Sequence, residues 1–70
     1  MNEEIHITLN GEGRKFPAGT TLQGLVAALN LEPERVAIEL NRVIVRRGEW
    51  GTTEVDSGAE VEIVMFVGGG

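Results

Sequence analysis

The chain has 70 residues, no cysteine, a net charge of −5 and 41% hydrophobic residues. This is one small domain with enough apolar content for a core, and it lacks disulfides, thiolate metal sites and any side chain that carries a persulfide. The acidic balance argues against a nucleic-acid partner, no stretch reaches the ~20 apolar residues of a membrane span, and no basic-then-apolar leader opens the chain.

Ile5-His6-Ile7-Thr8-Leu9 alternates apolar and polar residues, the period of a half-buried strand. Asn10-Gly11-Glu12-Gly13 supplies turn residues, and Arg14-Lys15-Phe16 is a short second strand stopped by Pro17. The N-terminal part therefore reads as a β-hairpin. Thr20-Thr21-Leu22-Gln23 has the form of a capping box, with the Thr20 hydroxyl accepting from the Gln23 N–H and Gln23 reaching back. Leu22, Leu25, Val26 and Leu29 follow at i, i+3, i+4 and i+7, one apolar stripe of a helix. Gly24 falls off that stripe, where it costs ~1 kcal/mol against alanine, and the sequence gives no reason for it. Asn30 is a C-cap and Pro33 ends the helical pattern.

Val36-Ala37-Ile38-Glu39-Leu40 is a third strand, Asn41-Arg42 a tight turn, and Val43-Ile44-Val45 a fourth strand. The stretch from Arg47 to Gly51 is irregular, Asp56-Ser57-Gly58-Ala59 is a turn signal, and the last strand runs from Glu60 to Val67. The order strand, strand, helix, strand, strand, strand predicts an α+β domain. It is a mixed sheet of about five strands with one main helix packed on one face. The first and last strands are adjacent and parallel across the long crossover that the helix provides. This is the β-grasp arrangement of ubiquitin-like proteins, with residues 1–67 as the domain and 68–70 as a flexible glycine tail.

Two features bear on function. The chain closes on Gly68-Gly69-Gly70 directly after an apolar run. Glycine has no Cβ, so such a tail enters a slot too narrow for other residues, and the α-carboxylate of Gly70 is the reactive group it offers. The alternative is flexible filler. In the last strand, Val61, Ile63, Met65 and Val67 share the parity that faces the helix, while Glu60 and Glu62 face away. Val64 and Phe66 continue that outer parity although they are apolar. Either they form an exposed docking patch beside the tail, or a loop such as the one carrying Trp50 covers them. Arg42, Arg46 and Arg47 are an exposed turn region or, alternatively, a docking patch.

Groups for catalysis are sparse. His6 lies on the polar parity of a strand with no second metal ligand nearby, and Ser57 sits in a turn with no partner base. Gly11-x-Gly13 lacks the helix that a phosphate-binding loop needs. The chain reads as a carrier or interaction module, not an enzyme, with no catalytic residue and no metal site. A free carboxylate is a poor acyl donor; joining it to AMP removes its charge and supplies a leaving group. A sulfur nucleophile then gives a thiocarboxylate, and an amine gives an isopeptide.

The whole chain resembles the ThiS/MoaD family of sulfur carriers, the thiamine-biosynthesis carriers in particular. The resemblance rests on Leu9-Asn10-Gly11-Glu12, Thr21-Leu22-x-x-Leu25, Val36 to Asn41, Ile44-Val45, Trp50-x-x-Thr53 and the run from Val61 to Gly70. Arg46 stands where a proline is common in the family, and Ser57-Gly58-Ala59 replaces a more acidic turn. The resemblance implies that an E1-like adenylating enzyme activates Gly70 with ATP and magnesium, this chain binding no cofactor itself. It implies that a sulfur donor system such as a cysteine desulfurase supplies the sulfur, and that thiazole synthase accepts it. Gly68 and Gly69 are then the recognised tail, and Val64, Phe66 and Val67 the partner interface. The free chain is expected to be a cytoplasmic monomer without nucleic-acid or membrane partners. The molybdopterin synthase small subunit and a ubiquitin-like protein modifier are the alternatives, and the acceptor decides between them.

Overall fold

Residues 3–66 are described in the computed structural model. Two of its turns begin with asparagine, and they set the sheet. Asn10 has φ 49° and Gly11 φ 84°; Asn41 has φ 51° and Arg42 φ 71°. Two consecutive residues at positive φ make a type I′ turn, whose twist matches that of a β-hairpin. The first turn joins β1 (Glu4–Leu9) to β2 (Glu12–Pro17), with Leu9 opposite Glu12. Asn10-Gly11 suffices as the turn, so β2 starts at Glu12, two residues before the position predicted from sequence. The second turn joins β3 (Val36–Leu40) to β4 (Val43–Val45), with Leu40 opposite Val43.

The last strand, β5 (Glu60–Met65), lies between the two hairpins, parallel to β1 and antiparallel to β3. The sheet order is β2-β1-β5-β3-β4. The β-grasp topology expected from the element order is thus present, with one helix, α1 (Leu22–Ala28), on one face.

Helix α1 begins one residue later than the capping-box reading. Thr21 is the N-cap, and its hydroxyl accepts from the Gly24 N–H at 3.0 Å. Tertiary contacts cause the shift. The Val55 N–H donates to the Thr20 carbonyl, the Leu22 N–H donates to the Thr53 carbonyl, and Thr21 bridges to Glu54. These bonds hold Thr20 and Thr21 extended. The Thr20 hydroxyl instead donates to the Pro17 carbonyl at 2.6 Å. At the other end Leu29 is the C-cap and Asn30, with φ 58°, follows it. The Asn30 and Leu31 N–H groups donate to the Ala27 and Val26 carbonyls, the two bonds of a Schellman motif. Pro33 opens a 3₁₀ turn (Pro33–Arg35) leading into β3, and a second 3₁₀ segment (Arg47–Thr52) replaces the irregular stretch.

The core lies between α1 and the sheet. It contains Ile5, Ile7 and Leu9 of β1, Phe16 of β2, Leu22, Leu25 and Val26 of α1, Val36 and Ile38 of β3, and Val61 and Ile63 of β5. Trp50, Val55 and Ala59 close its side. Each buried Leu, Ile or Val contributes roughly 1.5–3 kcal/mol over leaving it exposed. The Trp50 indole is 3% exposed, and its Nε1–H donates to the Val45 carbonyl at 2.8 Å, so the ring is buried with its one polar group satisfied.

One core expectation fails. Met65 has the inward parity yet is 58% exposed. Met65 is the last residue of β5 and lies opposite Val36, which is itself buried. It borders shallow grooves shared with Leu29, Leu31 and Val36.

Candidate functional site

The strand register divides the outer face of the sheet into two chemically distinct ends. Glu39 stands between Glu62 on β5 and Ile44 on β4, and Ala37 stands beside Val64. Glu60 pairs with Thr8 across the parallel junction. At the start of β5, Glu39, Glu60, Glu62 and Arg42 line a concavity of about 380 Å³. Arg42 Nε lies 3.6 Å from Glu60 Oε1, an exposed pair whose contribution to stability is ~0–1 kcal/mol. At the far end of β5 the carboxylates give way to Val64 and Phe66, each 56% exposed, with Ile44 at 71% on the neighbouring edge.

Trp50 does not cover this apolar end. Its ring is part of the core, held there by the bond to Val45. Arg46 and Arg47 are exposed and border a groove of about 300 Å³ together with Ala37, Ile44, Trp50 and Phe66. β4 pairs only with Ile38–Leu40 of β3, which leaves this groove open beside Val36 and Ala37. The groove thus carries two arginines and one carboxylate, Glu34, on its border.

The structure brings together Val64 and Phe66 from the sequence reading and adds Ile44, which that reading did not single out. Val43-Ile44-Val45 is apolar throughout, so in an edge strand one parity must face solvent; that was the available signal. Val67, Gly68, Gly69 and Gly70 lie outside the described residues. Phe66 is the last residue described, and its N–H donates to the Arg35 carbonyl at 2.8 Å, which ties the end of the strand to the start of β3. Ser57 Oγ accepts from the main-chain N–H of His6 at 3.1 Å, so the hydroxyl meets the His6 backbone and not its imidazole. Among the described residues no group of three His, Cys, Asp or Glu is placed to hold a metal ion. None of the described helices is long and apolar enough to cross a membrane.

A family model, the ThiS family, matches residues 7–70, nearly the whole chain. This chain belongs to the ThiS family. Among its relatives, the sulfur carrier protein ThiS of Bacillus subtilis is 37% identical over 65 residues, covering 91% of this chain and 98% of that protein. A crystal structure of the thiamine biosynthesis protein ThiS from Geobacter metallireducens superposes with a TM-score of 0.82. It is 30% identical and covers 94% of this chain and all of that one. A thiazole synthase of Magnetococcus marinus is 45% identical over 66 residues, but those residues are 20% of its length. The chain spans about a fifth of each thiazole synthase it matches, the second being that of Paramagnetospirillum magneticum.

Proposed function

We propose that this member of the ThiS family is a sulfur carrier for thiamine biosynthesis whose reactive group is the Gly70 carboxylate. In this reading a separate E1-like enzyme binds the apolar end of the outer face through Val64, Phe66 and Val67 and draws Gly68-Gly69-Gly70 into its ATP site. A carboxylate oxygen attacks the α-phosphorus of magnesium-bound ATP, and pyrophosphate leaves. The terminal sulfur of a persulfide, supplied by a donor such as a cysteine desulfurase, then attacks the acyl-adenylate; a C–S bond forms and AMP leaves. A thiol cleaves the resulting acyl disulfide, so the tail ends in a thiocarboxylate and the two thiol sulfurs leave as a disulfide. The chain itself contributes recognition and a carbonyl carbon, so it acts as a co-substrate. A chain without cysteine offers no thiol to compete for that sulfur, which suits work in a reducing cytoplasm.

The observation that carries this reading is the match along nearly the full length of the Bacillus subtilis sulfur carrier. The acceptor follows from a second one. In Magnetococcus marinus a segment 45% identical to this chain is joined within one polypeptide named thiazole synthase. A carrier fused to the enzyme it supplies raises the local concentration of one at the other. Thiazole synthase is therefore the sulfur acceptor we assign to this chain. The apolar patch supports the reading physically, because an exposed aromatic residue at the root of a tail is a natural anchor for a partner.

ATP–pyrophosphate exchange with the adenylating enzyme tests the proposal. The full chain should support exchange, and a chain lacking Gly70 should support none while keeping its fold. Undiminished exchange from the shortened chain contradicts it.

A further inference from the structure

β4 stops before β3 does, and the chain does not fill the place it leaves. The main-chain groups of β3 alternate between its two flanks, as in any antiparallel ladder. The Phe66 N–H donates to the Arg35 carbonyl and the Asn41 N–H to the Glu60 carbonyl, so the residues of odd number turn to β5. Val36, Ile38 and Leu40 therefore turn their main-chain groups to the β4 side. Ile38 and Leu40 meet Val45 and Val43 there. In the same register a longer β4 would bring Arg47 to Val36. Instead the Arg46 carbonyl accepts from the Glu49 N–H at 2.8 Å, and the chain turns away into the 3₁₀ segment from Arg47 to Thr52.

Val36 is left with a main-chain N–H and a carbonyl that have no hydrogen-bond partner among the described residues, although the residue is only 6% exposed. Main-chain groups placed so deeply are nearly always paired. Val36 lines the groove of about 300 Å³ that Ala37, Ile44 and Phe66 border on the outer face, a volume at the lower end of ligand sites. Its walls are apolar at Ala37, Ile44 and Phe66, and two exposed arginines, Arg46 and Arg47, stand against one carboxylate, Glu34.

We propose that this groove holds an extended segment of a partner protein, which takes the place beside β3 that β4 vacates. Each residue of a peptide carries one donor and one acceptor on its main chain, so a peptide can satisfy both groups of Val36. Strand addition at an open edge draws affinity from such main-chain bonds and specificity from the side chains beside them. The walls set those side chains: an aliphatic residue against Ala37, Ile44 and Phe66, and a carboxylate within reach of Arg46 and Arg47. The edge strand of a second copy does not fit, because β4 is flanked by Arg42, Arg46 and Arg47 and would set arginine against arginine. The inference concerns recognition, and it holds whatever group the Gly70 carboxylate carries.

The probe is a blocked five-residue peptide of three valines with an aspartate at each end, titrated into the isotope-labelled full chain and followed by NMR. The amide signals of Val36, Ile44 and Phe66 should move together, with a dissociation constant on the order of 1 mM. At about 5 mM peptide, hydrogen exchange of the Val36 amide should slow by ~5-fold. The same peptide N-methylated at its valines should bind at least ~10-fold more weakly, because it cannot donate to the Val36 carbonyl. A peptide with lysine in place of each aspartate should bind at least ~3-fold more weakly at low salt, and the gap should close as salt is added. Arg46→Gln and Arg47→Gln together should remove that gap without disturbing the fold, since both side chains are exposed.

No movement at Val36 with about 10 mM peptide overturns the proposal. Movement at Ile44 and Phe66 with Val36 exchange unchanged also overturns it, because the peptide then touches the apolar wall without pairing. Equal binding of the aspartate and lysine peptides overturns the carboxylate preference. If the same signals move with protein concentration in the absence of peptide, the groove belongs to a second copy of the chain and the proposal is wrong.

Discussion

β5 consists of two halves with the same backbone and opposite fates. In the first half Val61 and Ile63 lie under α1, 1% and 9% exposed, while Glu60 and Glu62 face water. In the second half Met65, with the same parity as Ile63, is 58% exposed, and Val64 and Phe66 bring apolar surface to the side that faced water. Both halves pair with β3. The difference is cover: Trp50, which the sequence offered as a cover for the outer face, is committed to the core. The first half serves the fold. The second, with Phe66 just beyond it, presents apolar side chains on both faces, the surface that the proposed docking role would use.

The comparison breaks if the two halves respond alike to truncation. Ile63→Ala should lower stability by about 3 kcal/mol, because it opens space under the helix. Met65→Ala, two residues on, should change stability by no more than ~0.5 kcal/mol. Chemical denaturation of both variants measures the contrast, and equal losses would mean that Met65 is packed in solution.

Phe66→Ala sharpens the comparison from the binding side. Affinity for the adenylating enzyme should fall by ~2 kcal/mol while stability falls by under ~1 kcal/mol. A titration and a denaturation curve on the same variant decide it; a large stability loss with unchanged affinity would assign the ring to the core.

Three smaller effects act at the start of α1. Thr21→Ala removes the N-cap acceptor and should cost ~1 kcal/mol. Thr20→Ala should cost less, in contrast to the capping-box reading of the sequence. Gly24→Ala should stabilise by ~0.5–1 kcal/mol. Gly24 is exposed, its φ is not positive, and an added Cβ would meet Thr21 Oγ1 at 3.4 Å and Thr20 Cγ2 at 3.8 Å, both ordinary contacts. Thermal melts rank the three. Nothing in the structure requires a glycine at this position.

The topology was legible in the sequence because its signals are local and agree: period-2 strands, a helical stripe, and asparagine-led turns between strands. The errors lie where distant segments intervene. Thr20 carries the capping pattern, but the segment Thr53–Val55 holds it extended and moves the cap to Thr21. Met65 has the inward parity, but parity says nothing about what covers the last residue of a strand. The exposed apolar residues were half legible. Alternation marked Val64 and Phe66 as apolar on the wrong side, yet whether the Trp50 loop covers them depends on one indole hydrogen bond. Asn10 and Asn41 were read as turn residues only; that each amide also completes the ladder of β5 follows from a sheet order that brings together residues some 20 to 50 positions apart.

The central claim is that Gly70 carries sulfur. It is tested most directly by incubating the protein with its adenylating enzyme, ATP and a sulfur donor and measuring the intact mass, then the mass of the C-terminal peptide. The account predicts a gain equal to the exchange of one oxygen for one sulfur, confined to Gly70 and lost again when thiazole synthase and its other substrates are added. An unchanged mass, or products in which Gly70 is joined to lysine side chains of other proteins, would contradict it.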